Sequence, residues 1–363
     1  MINALGIKGN KVIGNTYSVP PRPPTSTPWV VISPGSGLSL FGLSASASPF
    51  HQSGKFSSIL SHYKLGQIPN IHGARVIICW NTEWSRKFEQ CIAHDLAILG
   101  ADQVAFIPSP LLTTLASKQP SNTVLVINIG FRHVSVSPVC FGQIFTWAQT
   151  VLSSSFLDIF TDYADLPKSD IIESAIVEFV KKLGIYNVYE VRDYRESTRE
   201  MPLKDNNGTS IKQISYGLMQ VVLNDFMDDM CDIVLESLSR CPIDCRRPLS
   251  RSIALSGGMA LIPGIQQKFM HCMSQKISND PSRAYLRGLI HTFRFVKSSF
   301  PVEHLEWIGA CILSQIGVPH QSVMTNEQCL DPRLNITNLQ SQSTSFVKKS
   351  REEGCKVVIS KLR

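Results

Sequence analysis

Charged residues are scarce in this chain: they make up 17% of its 363 residues, against about 25% in a typical soluble protein. No run of about eighteen apolar residues occurs, and the N-terminus lacks the charged-then-apolar layout of a secretory signal. These absences exclude insertion into a membrane and predict a cytoplasmic protein. The hydrophobic fraction of 43% excludes general disorder. The length exceeds that of one compact core, so at least two lobes are expected.

The features of nucleic-acid and metal sites are also missing. The net charge of +7 is modest, and Lys and Arg form no basic stripe with interleaved aromatic residues, so no nucleic-acid partner is predicted. Among ten cysteines, Cys241 and Cys245 are the one closely spaced pair. No second Cys or His pair completes a zinc set, so no metal site is predicted.

Strand and helix patterns alternate in the first half of the chain. RVIICW, from Arg75, predicts a buried strand, and Asn81 or Thr82 is expected to cap a helix whose apolar positions run from Trp84 to Leu96. DQVAFIP predicts a second strand, and TVLVINIG with HVSVSPVCFG predicts a hairpin, followed by a strand in QIFTWAQTV. SASASPFHQSG is interpreted as a connector outside any core. This alternation favours an α/β lobe with a mixed sheet.

The second half is more helical. DIIESAIVEFVKKLG and SYGLMQVVLNDFMDDMCDIVLESLSRC have apolar residues at helical spacing, and turn residues around Asn206-Asn207-Gly208 predict a hairpin between them. SIALSGG then predicts a strand and a turn, HTFRFVKS a further strand, and HLEWIGACILSQIG an apolar helix.

Three small-residue turns directly follow predicted buried strands. They are Gly35-Ser36-Gly37 after WVVIS, Gly130 after VLVIN, and Ser256-Gly257-Gly258 after RSIAL. Backbone N–H groups at such turns can bind a phosphate. Glycine at a strand end can equally serve only to turn the chain, and each turn alone leaves both readings open.

The order of the turns resembles that of the superfamily that includes actin, heat-shock chaperones and sugar kinases. WVVISPGSGLSLFGLS and TVLVINIGFRHVSVSPVCFG resemble the two phosphate hairpins of actin-related proteins, and CPIDCRRPLSRSIALSGGMALIPGIQQKF resembles the adenosine-side segment. The resemblance implies an α/β actin-like fold of two lobes, a duplicated ribonuclease H-like architecture. It also implies a degenerate nucleotide cleft formed by Gly35, Ser36, Gly37, Gly130, Gly257 and Gly258.

The resemblance further implies that the hydrolytic groups are gone. Family members have Asp where this chain has Ser33 and Asn128, and Lys where it has Leu40. They also have a Gln that orients water, near the positions of Pro108–Leu111. Without the carboxylates that orient a metal and the lysine that binds phosphate, phosphoryl transfer to water is not expected. No catalytic residue is therefore assigned.

One aromatic residue and one basic residue, both in the second loop, also alter the cleft. Where the family has an acidic residue after Gly130, this chain has Phe131, and Phe131 with Arg132 should crowd the second loop. No cofactor is required by this reading. Bound ATP or ADP without turnover remains an alternative.

Within the family, the run VLESLSRCPIDCRRPLSRSIALSGG is most similar to the actin-related subunit at the pointed end of dynactin. The interval between the first hairpin and Arg75 is too short for the usual second subdomain. The resemblance thus implies a non-catalytic cytoskeletal subunit that caps the pointed end of an actin-like minifilament and supports dynein-driven microtubule transport. Its implied partners are actin-like filament subunits of dynactin and pointed-end adaptor subunits.

Two alternatives stay open: a nuclear actin-related subunit of a chromatin-remodelling complex, and a residual ATPase of the actin superfamily. The predicted segments follow the chain order of the family. They are a Pro-rich leader at 1–28, a first lobe with a reduced second subdomain at 29–121, a second lobe at 122–304 with a helical insertion at about 157–243, a C-terminal part of the first lobe at 305–335, and a polar tail at 336–363.

Overall fold

The computed structural model describes residues 28–331 except 47, 54–55, 120, 153, 190–199 and 206, and of residues 51, 53, 170 and 181–189 it describes only the backbone. The predicted leader before residue 28, the predicted polar tail and Asn206 of the predicted turn lie outside the described residues. The predicted segment boundaries stay predictions.

The first sheet has six strands, and its central members run parallel. Its order is β13-β5-β4-β1-β2-β3, with β1 parallel to β4, β4 parallel to β5, and the other pairs antiparallel. The strands are β1 Val30–Ser33, β2 Ser39–Leu43, β3 His51–Ser53, β4 Arg75–Trp80, β5 Gln103–Pro108 and β13 Val323–Thr325.

The second sheet repeats the same arrangement. Its order is β12-β6-β7-β8, with β9 also on β7; β6 is antiparallel to β7 and parallel to β12. The strands are β6 Val124–Ile129, β7 Val134–Cys140, β8 Gln143–Ile144, β9 Thr150–Leu152 and β12 Ile253–Ser256, while β10 Glu200–Lys204 and β11 Ser210–Ser215 form a separate hairpin. Each sheet thus starts with an antiparallel hairpin whose first strand pairs in parallel with a later one, and this duplication confirms the predicted architecture.

Ten α-helices cover the sheets in the described part of the chain. They are α1 Ile59–Lys64, α2 Arg86–Ile98, α3 Ser109–Ala116, α4 Phe156–Tyr163, α5 Asp170–Tyr189, α6 Tyr216–Arg240, α7 Ile243–Ser250, α8 Ile265–Asn279, α9 Leu305–Ile316 and α10 Asn326–Leu330. None of these helices combines the length and apolarity that crossing a bilayer requires.

Both faces of β1 are covered, which explains why its first three residues are all apolar. Val30 and Ile32 pack into the core on the α2 side of the sheet, whereas Val31 belongs to the core that contains Trp307 and Leu305 of α9. Strands covered on both faces read as continuous hydrophobic runs rather than as alternating ones. Helix α2 therefore covers one face of the first sheet, and α3 and α9 cover the other.

Several local predictions need correction. The small-residue segment interpreted as a connector supplies β3, which pairs with β2. Helix α2 begins later than predicted because Ser85, rather than Asn81 or Thr82, accepts the hydrogen bond from the Phe88 backbone N–H. The segment after β7 is divided by a 3-10 helix at Thr146–Ala148.

The predicted strand HTFRFVKS forms only a single bridge, in which Phe295 pairs in parallel with Ile253 of β12. Hydrogen bonds from the Ile253 N–H to the Arg294 carbonyl and from the Val296 N–H to the Ile253 carbonyl hold it there. The segment thus occupies the position that β5 has in the first sheet, but it is too short to be a strand.

Helices α3 and α9 touch backbone to backbone at Gly309. A Cβ on Gly309 would lie 2.0 Å from the carbonyl oxygen of Leu112, whereas a Cβ on the exposed Gly288 would meet nothing within 4 Å. We expect Gly309→Ala to lower the free energy of unfolding by about 1–3 kcal/mol, the usual range for overpacking. Denaturant unfolding of the full chain measures this.

Gly288→Ala is the matched control, with an expected change of less than about 1 kcal/mol, because only the entropy of the unfolded chain is affected. Equal stabilities of the two variants would show that α9 can move away from α3 at no cost.

Candidate functional site

All six turn residues predicted for the degenerate cleft line one cavity of about 290 Å³. Gly35, Ser36 and Gly37 come from the turn between β1 and β2, Gly130 from the turn after β6, and Gly257 with Gly258 from the turn after β12. The equivalent ends of the two sheets therefore face each other across this cavity. Ser33, Leu40 and Asn128, the positions at which the resemblance implies lost charged groups, line it too.

The ring of Phe131 lies between the glycine turns of the two lobes. A Cβ on Gly37 would lie 2.1 Å from Cγ of Phe131, and a Cβ on Gly258 would lie 2.7 Å from its Cε2. Any residue larger than glycine at either position would overlap the ring. The predicted crowding by Phe131 is thus a direct contact with both turns.

The neighbouring Arg132 does not enter the phosphate region as a free cation. Its Nη2 donates to both carboxylate oxygens of Glu173 in α5, at 2.9 and 2.8 Å. A charge-assisted pair of this kind fixes the direction of the side chain. Arg132 of the second loop is thereby paired with a carboxylate on a helix of its own lobe.

Glu306, in the first turn of α9, is the central polar residue of the cleft, and sequence reasoning missed it. Its Oε2 accepts from the Ser109 Oγ at 3.0 Å and from the Ser33 Oγ at 3.5 Å, and its Oε1 accepts from the Asn128 Nδ2 at 3.2 Å. Ser33 and Asn128 are the two positions at which the resemblance implies missing carboxylates. The carboxylate of Glu306 accepts a hydrogen bond from each of them.

This hydrogen-bond set joins the two sheets. Ser33 ends β1 of the first sheet and Ser109 begins α3 beside it, whereas Asn128 belongs to β6 of the second sheet. A signal existed in the sequence, since Glu306 is a lone carboxylate in the otherwise apolar stretch LEWIGACIL. Its partners, however, lie far away along the chain and could not be read from spacing.

Burial raises the pKa of the Glu306 carboxyl above its ordinary value, and the hydrogen bonds from Ser109 and Ser33 oppose this only in part. Enclosure by protein disfavours the charged form, while donors favour it. The cleft thus holds a carboxyl group that gains a proton more readily than one in water.

The backbone conformation and the close packing of these turns require glycine. Gly257 has φ of 90°, a region that L residues rarely adopt. A Cβ there would lie 2.5 Å from Asn128 Oδ1, and a Cβ on Gly35 would lie 2.0 Å from the Leu38 carbonyl oxygen. These glycines are needed by the turns and by the packing of the cleft, whether or not a phosphate is bound.

Comparison with known proteins matches residues 187–329 to the actin family. Actin-related protein 10 of Dictyostelium discoideum is 32% identical over 101 residues, which are 27% of this chain and 21% of that protein. Actin-related protein 4 of Candida glabrata is 24% identical over 147 residues, which are 39% of this chain and 27% of that protein. Actin-related protein 4 of Mycosarcoma maydis is 26% identical over 99 residues, which are 27% of this chain and 17% of that protein. The matched parts span about a quarter or less of these relatives.

Two duplicated sheets that face each other across a glycine-lined cleft, together with the actin-family match, define an actin-like fold. The predicted resemblance to actin-related proteins is confirmed, because proteins of that name match the chain.

The raised pKa of Glu306 predicts a specific pH dependence of stability. A carboxyl with a folded-state pKa above 4.5, its ordinary value, stabilises the fold most at acid pH, and this contribution is lost as pH rises through the folded-state pKa. Glu306→Gln removes the titration. We expect the free energy of unfolding of the parent chain, minus that of the variant, to fall as pH rises from 4 to 8.

Urea unfolding of both proteins across this range measures the difference. Glu200→Gln, at an exposed position on β10, is the control for loss of one negative charge. A difference between the parent and Glu306→Gln that stays constant with pH would contradict the prediction.

Proposed function

We propose that this chain is a non-catalytic actin-related structural subunit that caps the pointed end of the dynactin actin-like minifilament and supports dynein-driven microtubule transport in the cytoplasm. The observation that carries the non-catalytic part is the Phe131 ring between Gly37 and Gly258. A phosphate chain held by both turns would have to occupy the same space as this ring. Glu306 adds a carboxyl group where a phosphate would need a cation.

The segment between β2 and β4 supports the capping part of the proposal. Its described residues form β3 and α1, and Phe56, Ile59, Ile68 and Ile71 pack into the core of the first sheet. In the family, a subdomain inserted here contacts the next filament subunit. A segment folded back onto its own sheet offers little to a further subunit, so the filament would end there.

An exposed aromatic segment supports binding to a filament. Phe141 and Trp147 are 58% and 60% exposed, and Trp147 stacks on Phe145 with ring centroids 4.7 Å apart. Exposed aromatic side chains mark protein interaction surfaces when they cluster. Actin-like filament subunits are the proposed partners of this segment, and pointed-end adaptor subunits are further partners.

The resemblance to actin-related protein 10 supports the dynactin assignment, and the matches to actin-related protein 4 favour a second candidate, a nuclear subunit of a chromatin-remodelling complex. Tagged full-length chain that fractionates with dynactin would support the first, and nuclear retention with remodelling subunits would support the second.

A single-turnover assay with ATP and Mg²⁺ tests the non-catalytic assignment. We expect no hydrolysis above the rate without protein, because Ser33 and Asn128 cannot hold a metal as two carboxylates would. Phe131→Ala should not restore turnover, since it opens space without adding a metal-binding group.

Hydrolysis that is abolished by Gly257→Ala in a still-folded protein would contradict the non-catalytic assignment and favour the ATPase alternative. Circular dichroism and unfolding curves establish whether that variant is folded.

Growth of actin-like filaments at their pointed ends tests the capping assignment. We expect the chain to bind these filaments and to stop subunit addition at that end, and Trp147→Ser to weaken binding, because an aromatic anchor at an interface contributes about 2 kcal/mol or more. Pull-down and single-filament microscopy measure these effects.

Tyr285→Ser is the matched control, since Tyr285 is 59% exposed but lies in a different part of the chain. The capping proposal is wrong if the chain neither binds the filaments nor slows their growth. Equal losses in the two variants would assign binding to another surface.

A further inference from the structure

One stretch of the second lobe carries a large excess of positive charge. Residues 245–302 contain nine Lys and Arg residues but a single acidic residue, Asp280. The nine are Arg246, Arg247, Arg251, Lys268, Lys276, Arg283, Arg287, Arg294 and Lys297. Asp280 is already paired with Arg283. The stretch therefore cannot balance its own charge.

Only part of this charge is neutralised by neighbouring helices. Lys276 pairs with Asp232 of α6 at 3.0 Å, and Arg283 pairs with the same carboxylate at 2.8 Å. Four further arginines are exposed, and their side chains form no ion pair or hydrogen bond within the part of the chain that the structure describes. They are Arg247, Arg251, Arg287 and Arg294. These four remain available to a partner.

Three of the four lie together at the end of helix α7. The Arg251 N–H donates to the Arg247 carbonyl at 3.2 Å, so the two side chains leave the helix on the same face. The Arg294 N–H donates to the Ser250 carbonyl at 2.9 Å, and its carbonyl accepts from the Ile253 N–H at 2.9 Å. Arg294 is thereby held beside Arg251.

This arrangement does not help the helix to form. Like charges four residues apart on a helix destabilise it, and Arg294 adds a third positive charge next to Arg251. A bound anionic group would remove this repulsion. The cluster is therefore better suited to binding than to stabilising the fold.

An exposed apolar residue continues the line of arginines along α7. Ile243 precedes Arg247 by four residues and is 78% exposed. Ile243, Arg247 and Arg251 thus follow one another along one face of the helix. Interfaces between proteins combine Arg with apolar contacts in this way.

The neighbouring groups favour a polypeptide over a nucleic acid or a lipid surface. Asp244 is exposed next to Ile243, and its carboxylate would repel a row of phosphates. The exposed ring of Tyr285 has the Arg246 guanidinium over it, 5.6 Å from its centroid, so that face is not open to a stacked base. Interfaces with nucleic acids are also more polar than a surface that contains an exposed Ile.

We propose that the surface formed by Ile243, Arg247, Arg251 and Arg294 binds a polypeptide segment in which Asp or Glu residues alternate with apolar ones. The planar guanidinium group matches a carboxylate with two parallel hydrogen bonds. Arg287 extends the positive charge, because the 3-10 helix Pro281–Leu289 that carries it packs against α7. The proposal uses other residues than the filament contacts proposed above, and it holds whether or not the chain caps a filament.

Fluorescence anisotropy of the full chain with a fluorescein-labelled peptide of repeated Glu-Glu-Leu units tests the proposal. We expect saturable binding that weakens as salt rises, because exposed charges are screened, and no binding of the matched Gln-Gln-Leu peptide. The double variant Arg247→Gln with Arg251→Gln should weaken binding about fivefold or more at low salt, since two exposed charge pairs are lost.

Lys64→Gln with Lys204→Gln is the matched control, since it removes two exposed positive charges from α1 and β10 and should leave the affinity unchanged. The proposal is wrong if the two double variants weaken binding equally, if the Gln-Gln-Leu peptide binds as tightly, or if the Glu-Glu-Leu peptide does not bind. Tighter binding of polyuridylate RNA or of phosphatidylserine vesicles, lost in the arginine variant, would overturn it by assigning the surface to phosphate groups. Urea unfolding at the midpoint of the parent chain or above establishes that the arginine variant is folded.

Discussion

A carboxyl group links the two lobes. Glu306 accepts hydrogen bonds from Ser33 and Ser109 on one side and from Asn128 on the other, so it joins the ends of two sheets that share no strand. Removing any one of these donors would leave a buried acceptor short of a partner, which costs more than the hydrogen bond itself contributes.

The strands and most helices could be predicted because their sequences carry the required period and length. RVIICW and DQVAFIP contain the uninterrupted apolar runs VIICW and VAFIP, and both form central parallel strands. The strand β3 could not be predicted, since His51–Ser53 carry no strand pattern of their own and are extended where they pair with the edge of β2. The extended segment at Phe295 similarly contains a strand-like pattern but forms one bridge.

The location of the candidate site could be predicted from the sequence, but its central polar group could not. The turns at Gly35, Gly130 and Gly257 predicted the cleft through their order along the chain, because each glycine alone could equally serve only to turn the chain. Glu306 arrives from α9, far along the chain from its partners, and only tertiary packing brings them together. The sequence predicted uncharged side chains at Ser33 and Asn128 in the cleft, whereas the carboxyl group to which both donate was not predicted.

The place of Phe131 has a consequence for how the lobes keep their arrangement. A bound nucleotide can dissociate, be exchanged or be hydrolysed. Where a nucleotide holds two lobes together, their arrangement therefore depends on the concentration of that nucleotide and on whether it has been hydrolysed. A side chain is tethered to the backbone and cannot dissociate. With the Phe131 ring in contact with both Gly37 and Gly258, a contact between the turns of the two lobes is built into the chain itself and needs no ligand to form.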